Sequence, residues 1–126
     1  EESLRLAKQA VTENDAIFDN WSMKIVSLFN KNKVKILAGT DTPIGYLTPG
    51  YSLHKELELL VEAGLSPRQA LRSATITPAE FFNLEHQMGS LDQGKVADIL
   101  ILNNNPLNAI KHTQDIYKVI SKGMVN

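Results

Sequence analysis

The apolar run Val34–Leu37 leads directly into the segment Ala38–Pro43, and this junction constrains the fold more than any other part of the chain. A short apolar run that ends in glycine and proline predicts a buried strand. In parallel α/β folds, the carboxyl ends of such strands open onto the ligand crevice. Asp41 therefore brings a carboxylate to a place where catalytic groups are common. The alternative is that Asp41 only forms a turn by hydrogen-bonding its own backbone.

Helices are predicted on both sides of this strand. Residues 3–13 form a weak amphipathic pattern, and residues 20–30 repeat apolar side chains at helical spacing. Ser52 is the predicted N-cap of a further helix, whose apolar stripe ends at Gly64 in a left-handed cap. The order helix, strand, helix is typical of an α/β fold.

The second half of the chain changes from helical to strand-like periodicity after residue 88. Two short helices come first, with capping boxes predicted to begin at Ser66 and Thr77. Strands are predicted at residues 96–102, 116–121 and 124–125. Three short strands do not make a stable sheet without further strands or a helix to cover them. Partner strands are therefore expected outside this sequence.

Composition limits the function classes. The 126 residues are 43 % hydrophobic, which suffices for one ordinary core, and 13 basic against 14 acidic residues leave no broad charge for nucleic acid or anionic lipid. No apolar stretch approaches the ~20 residues of a membrane span. The absence of cysteine excludes disulfides and thiolate metal sites, and it leaves the compartment open between cytoplasm and periplasm.

The loop of residues 39–51 joins the predicted strand to the next helix and is rich in glycine and proline. Loops of this length are frequently binding or lid segments, and the alternative is a plain connector. Its aromatic residues are Tyr46 and Tyr51. We expect a small-molecule substrate to bind here if the chain serves an enzyme.

Residues 33–125 resemble the C-terminal part of the metal-dependent amidohydrolases, in the branch that contains imidazolonepropionase-like enzymes and Xaa-Pro dipeptidases. Four motifs carry the resemblance in the right order: Ile36–Asp41, Leu53–Pro67, Ala70–Thr75 with Thr77–Ala79, and Gly89–Leu91 with Gly94–Ile99.

The resemblance implies a (β/α)₈ TIM barrel with a small β-sandwich domain. Residues 1–88 would supply the last helix-strand-helix units of the barrel, and residues 89–126 would supply sandwich strands, with Asp98 in a structural role. Asp41 matches the family's aspartate at the end of the eighth barrel strand. That aspartate binds the catalytic divalent metal, most often zinc, and shuttles a proton from the attacking water.

Substrate contacts are expected from residues around the barrel mouth: His54, Thr42, Tyr46, Thr48 and Tyr51. For His54 the alternative is a solvated or helix-packing side chain. The charged residues of the same helix are expected to form its solvated face, and they are Lys55, Glu56, Glu58 and Glu62.

The sequence departs from the family by lacking the other metal ligands. A hydrolytic zinc site needs three protein ligands, and the family's His-x-His pair is absent. A whole barrel takes ~250 residues. We therefore expect a C-terminal fragment, inactive alone, of a hydrolase that cleaves a carbon–nitrogen bond in an amide, cyclic amide or dipeptide. The alternative is a non-catalytic folding or oligomerisation module that buries the apolar faces of residues 53–61 and 96–102 against another copy.

Overall fold

The computed structural model describes residues 13–44 and 47–125. Within these ranges the helices are α1 (Glu13–Lys31), α2 (Tyr51–Glu62), α3 (Pro67–Ser73), α4 (Ile76–Phe81) and a 3₁₀ helix (Ile110–Gln114). The strands β1 (Ile99–Leu102), β2 (Ile116–Ser121) and β3 (Met124–Val125) form an antiparallel sheet in the order β1-β2-β3. None of the described helices combines the length and apolar character needed to cross a bilayer. The helix predicted at residues 3–13 lies, apart from its last residue, outside the described part of the chain.

The core of the molecule lies between α2, α3 and the 3₁₀ helix. Its buried side chains are Leu57, Leu60, Leu65, Ala70 and Ile110. The predicted apolar stripe of α2 is therefore covered within this chain, because Leu57 and Leu60 face α3 and the 3₁₀ helix instead of a second copy. Burial of a leucine or isoleucine side chain contributes about 1.5–3 kcal/mol, so the four large residues of this cluster stabilise the packing of the helices.

The end of α2 follows the predicted pattern. Gly64 has a φ of 106°, a left-handed conformation that favours glycine. Its N–H donates to the Val61 carbonyl at 2.9 Å, and the Leu65 N–H donates to the Leu60 carbonyl at 3.1 Å. This pair of bonds is a Schellman motif, and it confirms the predicted cap.

The capping box at the start of α3 is also confirmed. The Ser66 hydroxyl accepts from the Gln69 N–H at 3.3 Å, and the Gln69 side chain accepts from the Ser66 N–H at 2.8 Å. Gln69 also donates to the Asn30 side chain at 2.9 Å, and Asn30 donates to the Gly64 carbonyl at 2.9 Å. The cap of α3 is thus linked to the ends of α1 and α2.

Two predicted caps are wrong. Ser52 lies inside α2, whose N-cap is Gly50, and the buried Ser52 hydroxyl instead accepts from the Thr48 N–H at 2.8 Å. Thr77 lies inside α4, which begins at Ile76. In both cases the chain enters the helix before the polar residue, so its side chain cannot occupy the cap position.

The buried strand predicted at residues 34–38 is not formed. Residues 34–40 form neither helix nor strand, and they pair with no strand in the described ranges. Val34 is 49 % exposed, whereas Ile36 and Ala38 pack against the core. A parallel strand needs a neighbour to receive its hydrogen bonds, and the described residues offer none there.

The C-terminal hairpin is confirmed, with β2 and β3 at the predicted positions. The strand predicted at residues 96–102 is shorter, because β1 begins only at Ile99. The residues before it bind the β2–β3 turn instead: the Gly123 N–H donates to the Ala97 carbonyl at 3.0 Å, and the Lys122 N–H donates to the Asp98 carboxylate at 2.8 Å. Asp98 therefore has the structural contacts expected of it.

Several large apolar side chains remain exposed. Phe81 and Phe82, at the end of α4, are 66 % and 63 % exposed. Other exposed apolar residues lie on α1 and β1: Ile17, Phe18, Trp21, Leu28, Phe29, Leu100 and Ile101.

Candidate functional site

Asp41 follows residues 34–40 and is the first residue of a turn that includes Ile44. Its φ is 53°, in the left-handed region that only glycine, asparagine and aspartate visit readily. The Ile44 N–H donates to the Asp41 carbonyl at 3.1 Å and closes a turn. Asp41 thus begins a turn, but the bond that closes the turn is made by its backbone carbonyl and not by its side chain, which is exposed.

A cavity of about 400 Å³ lies beside this segment, between it and the first turns of α2. Its polar lining includes Thr40, Thr48, Ser52, Lys55 and Glu56. The volume is in the range of a small-molecule site. Thr40 lines this cavity and directly precedes Asp41, so the candidate carboxylate follows a residue of the cavity wall in sequence.

A smaller cavity of about 120 Å³ lies at the other end of residues 34–41, where Val34, Lys35 and Arg72 help to line it. Lys35 there forms an ion pair with Glu80 at 3.0 Å. This cavity lies at the other end of the segment from Asp41, so we assign the candidate site to the larger one.

Glu56 departs from the predicted solvated face of α2. Glu56 is half-buried at the wall of the cavity. Burial raises the pKa of its carboxyl, and the nearby Gly39 N–H partly offsets this effect. The sequence contained a signal for this position, because residue 56 follows Leu53 by three and precedes Leu60 by four, on the apolar stripe. Lys55 and Glu58 remain paired near the surface, 3.3 Å apart.

His54 is directed to the 3₁₀ helix. Its Nδ1 lies 3.0 Å from Thr113 Oγ1, and that hydroxyl donates its one proton to the Ile110 carbonyl at 2.9 Å. His54 Nδ1 must therefore be the donor to Thr113. The Tyr51 ring meets His54 edge-on, with ring centroids 6.5 Å apart. These contacts favour the helix-packing alternative for His54.

The remaining predicted substrate residues are not gathered into one site. Thr42 Oγ1 lies 3.3 Å from Thr40 Oγ1, but Thr42 does not line the cavity. Thr48 and Tyr51 do line it, and Tyr46 lies outside the described residues. A substrate role for His54, Thr42 and Tyr46 stays a prediction.

The sequence matches the model of the amidohydrolase family over residues 7–125, nearly the whole chain. The chain belongs to the amidohydrolase family. This is a family of enzymes, and its members typically use divalent metal ions. The resemblance found in the sequence motifs is therefore confirmed, as is the α/β, amidohydrolase-type fold.

Named relatives agree with this membership. An adenine deaminase of Clostridium botulinum is 29 % identical over 122 residues, 95 % of this chain and 18 % of that protein. An imidazolonepropionase of Acinetobacter baumannii is 40 % identical over 75 residues, 56 % of this chain and 18 % of that protein. A solved Xaa-Pro dipeptidase with methionine in its active site matches with a TM-score of 0.74 and 30 % identity, over 82 % of this chain and 25 % of that one. The chain thus spans a quarter or less of the length of these proteins.

The residues of this amidohydrolase chain fit a divalent metal only in part. An exposed carboxylate such as that of Asp41 is a suitable oxygen ligand. In the described ranges, however, no three His, Cys, Asp or Glu side chains come together in a group that could hold an ion. Within the described residues, Asp41 therefore offers one suitable oxygen donor and not a complete metal site.

Proposed function

We propose that this chain is the C-terminal part of a (β/α)₈ barrel amidohydrolase and that it contributes Asp41 to a metal-dependent active site, with zinc as the preferred metal. The resemblance of the motif Ile36–Asp41 to the family's strand-end aspartate carries the proposal, and this motif falls within residues 7–125, which match the family model. The left-handed backbone of Asp41, with a φ of 53°, is compatible with such a role, because strained backbone is found at functional sites.

The reaction we propose is hydrolysis of a carbon–nitrogen bond in an amide, cyclic amide or dipeptide. A bound divalent metal would supply an acidified water and polarise the scissile carbonyl. Asp41 would serve as a metal ligand, would accept a proton from the attacking water, and would pass it to the leaving nitrogen. The names of the relatives support two candidate substrates of this class, an Xaa-Pro dipeptide and imidazolonepropionate. Adenine is a third compound to test and lies outside the class, because its scissile carbon–nitrogen bond is on an amidine carbon and not on a carbonyl.

The test compares Asp41→Asn with Asp19→Asn in the full-length enzyme, because Asp19 is an exposed carboxylate on α1. Each protein is assayed with the three compounds and analysed for zinc. We expect Asp41→Asn to lower kcat by at least 10³-fold and Asp19→Asn to leave it unchanged. Preserved turnover in Asp41→Asn would rule out the role of Asp41. No hydrolysis of any of the three compounds by the wild-type enzyme would count against this choice of substrates.

Exposed apolar side chains favour a second candidate, a module that associates through them. Phe18 and Trp21 on α1 are 64 % and 57 % exposed, and Leu100 and Ile101 on β1 are also accessible. In this case the 126-residue chain would be inactive alone and would self-associate. Light scattering distinguishes the candidates, because a stable monomer at high concentration would contradict the module.

A further inference from the structure

Ser52 has a buried hydroxyl group whose proton is not used by the described part of the chain. The residue is 9 % exposed and lies in the first turn of α2. Its oxygen accepts from the Thr48 N–H at 2.8 Å, but the hydroxyl donates to no atom of the described residues. A serine hydroxyl carries one proton as well as two lone pairs, and buried polar groups are as a rule hydrogen-bonded. The proton is therefore available to a bound molecule.

Two hydrogen bonds hold the Ser52 hydroxyl in place. Besides the bond that its oxygen accepts, the Ser52 N–H donates to the Thr48 carbonyl at 3.0 Å. Ser52 and Thr48 both line the cavity of about 400 Å³. A donor that is fixed before binding loses little conformational freedom when a ligand arrives. Ser52 thus offers a preorganised donor in the wall of the cavity.

Ser73 shows that burial alone does not leave a serine proton unused. It is the other buried serine among the described residues, and it is 2 % exposed. Its hydroxyl donates to the Ala70 carbonyl at 2.7 Å. Ser73 does not line the cavity, so its hydroxyl serves only the end of α3. Ser52 differs in both respects, since it lines the cavity and keeps its proton.

The charged residues of the cavity wall indicate which acceptor the Ser52 proton meets. Lys55 follows Ser52 by three residues, so the two side chains leave the same face of α2, and both line the cavity. Glu58 uses one of the three donors of the Lys55 ammonium group, at 3.3 Å. A hydroxyl donor and an ammonium group one turn apart suit the oxygen atoms of a carboxylate. Glu56 balances the charge of Lys55, so the lining is neutral overall, as a zwitterionic dipeptide is.

We propose that Ser52 is a substrate-binding residue whose hydroxyl donates to a carboxylate of the substrate in the cavity, on the helix face that also carries Lys55. The inference deepens the proposed function and rests on it for the identity of the substrate. Of the compounds to be tested, an Xaa-Pro dipeptide and imidazolonepropionate carry a carboxylate, whereas adenine does not. The donor in the cavity wall therefore favours the first two compounds.

The experiment measures dissociation constants by isothermal titration calorimetry in the full-length enzyme with Asp41→Asn, in which turnover is not expected. The probes are Ala-Pro and imidazolonepropionate, each compared with the analogue in which a hydrogen atom replaces the carboxylate. We expect Ser52→Ala to raise the Kd of the two acids about 3- to 30-fold, the value of one hydrogen bond, and to leave the Kd of the analogues within about 2-fold. Ser73→Ala is the matched control and should change neither Kd.

The analogues separate a contact with the ligand from a purely structural role. An equal loss of affinity for the acids and their analogues would overturn the proposal, because Ser52 would then act only by holding Thr48. An unchanged Kd of the acids in Ser52→Ala, or an enzyme that binds neither acid, would overturn it as well. If Ser52→Ala does not fold, Ser52→Cys, whose thiol is a weak donor of similar shape, replaces it under the same criteria.

The two proposals fail in different ways. A wild-type enzyme that binds the acids through Ser52 but hydrolyses neither of them would refute the proposed function alone. An enzyme that hydrolyses them with the same KM in wild type and in Ser52→Ala would refute the role of Ser52 alone. If Asp41→Asn still turns the acids over, the role of Asp41 fails, and the KM of each compound replaces its Kd in the comparison.

Discussion

The helical block of residues 51–74 and the segment of residues 34–44 lie against each other, but different kinds of interaction stabilise each of them. The block contains its own core residues, and its helix ends are satisfied by neighbours in sequence, as at Gly64 and Ser66. The segment obtains contacts from residues distant in sequence, because the Ala38 N–H donates to the Ser73 carbonyl and Lys35 pairs with Glu80. Within the described residues, the block thus forms helix ends from local signals, whereas the segment would need a neighbouring strand to become one and has none there.

The largest expected effect tests the packing side of this comparison. Leu60→Ala removes a side chain that is 5 % exposed from the centre of the core. We expect the free energy of unfolding to fall by about 2–5 kcal/mol in urea denaturation. Val34→Ala, in the segment of residues 34–44, should change the free energy of unfolding by less than about 0.5 kcal/mol, as other surface substitutions do. Equal effects would mean that the segment is packed as tightly as the block.

The helix ends provide a sharper test. Ser66→Ala breaks the capping box of α3, and loss of an N-cap costs about 1 kcal/mol. Thr77→Ala should cost less, because α4 begins at Ile76 and the Thr77 hydroxyl does not cap it. Thermal unfolding of the two variants checks the order. A larger loss for Thr77→Ala would contradict the observed start of α4.

Asp41→Gly tests whether the segment stores strain. Glycine adopts a positive φ without penalty, so we expect a gain of up to about 1 kcal/mol in the free energy of unfolding, together with loss of activity in the full-length enzyme. Asn83, with a φ of 58°, is the control, because Asn83→Gly should stabilise similarly and leave activity intact. A destabilised Asp41→Gly variant would show that the side chain contributes to folding.

The smallest effects concern pH. The side-chain amides of Asn103 and Asn104 hold the pKa of Asp115 below its usual 3.8, so the stability from this group is present above that pH and is lost as the pH falls through the lowered pKa. Burial raises the pKa of Glu56 above 4.5, so the stability from this group falls as the pH rises from 4.5 to the raised pKa. When the free energy of unfolding is measured against pH in acid, Asp115→Asn should lose a rise of stability with pH, and Glu56→Gln should lose a fall. Slopes of the same sign would contradict these environments.

Some local features were predicted correctly from the sequence, the caps at Ser52 and Thr77 were not, and contacts between distant residues could not be predicted. The cap at Gly64 and the box at Ser66 depend on residues within one turn, and both were predicted correctly. The strand at residues 34–38 depends on partners that the described chain lacks, so its apolar pattern was misleading. The burial of Glu56 was missed because a charged residue was assigned to solvent although it falls on the apolar stripe.

In the candidate site, a catalytic role for Asp41 was predicted from its place after an apolar run, and that role stays a prediction. A turn at Asp41 was among the alternatives, but its positive φ was not predicted. The partner of His54 was unpredictable, since Thr113 comes near only after the chain has passed through β1. Tyr46 and Thr42 stay predictions.

The return of the chain from β1 to the helical block also affects how such proteins can recombine. Ile110 fills the core beside α2, Thr113 binds His54, and Gln114 donates to Glu58 at 2.7 Å. A crossover between homologous genes at residues 88–89 would join a 3₁₀ helix from one parent to an α2 surface from the other. Viable chimaeras should therefore inherit α2 and residues 110–114 from the same parent, so the C-terminal sheet is not freely exchangeable.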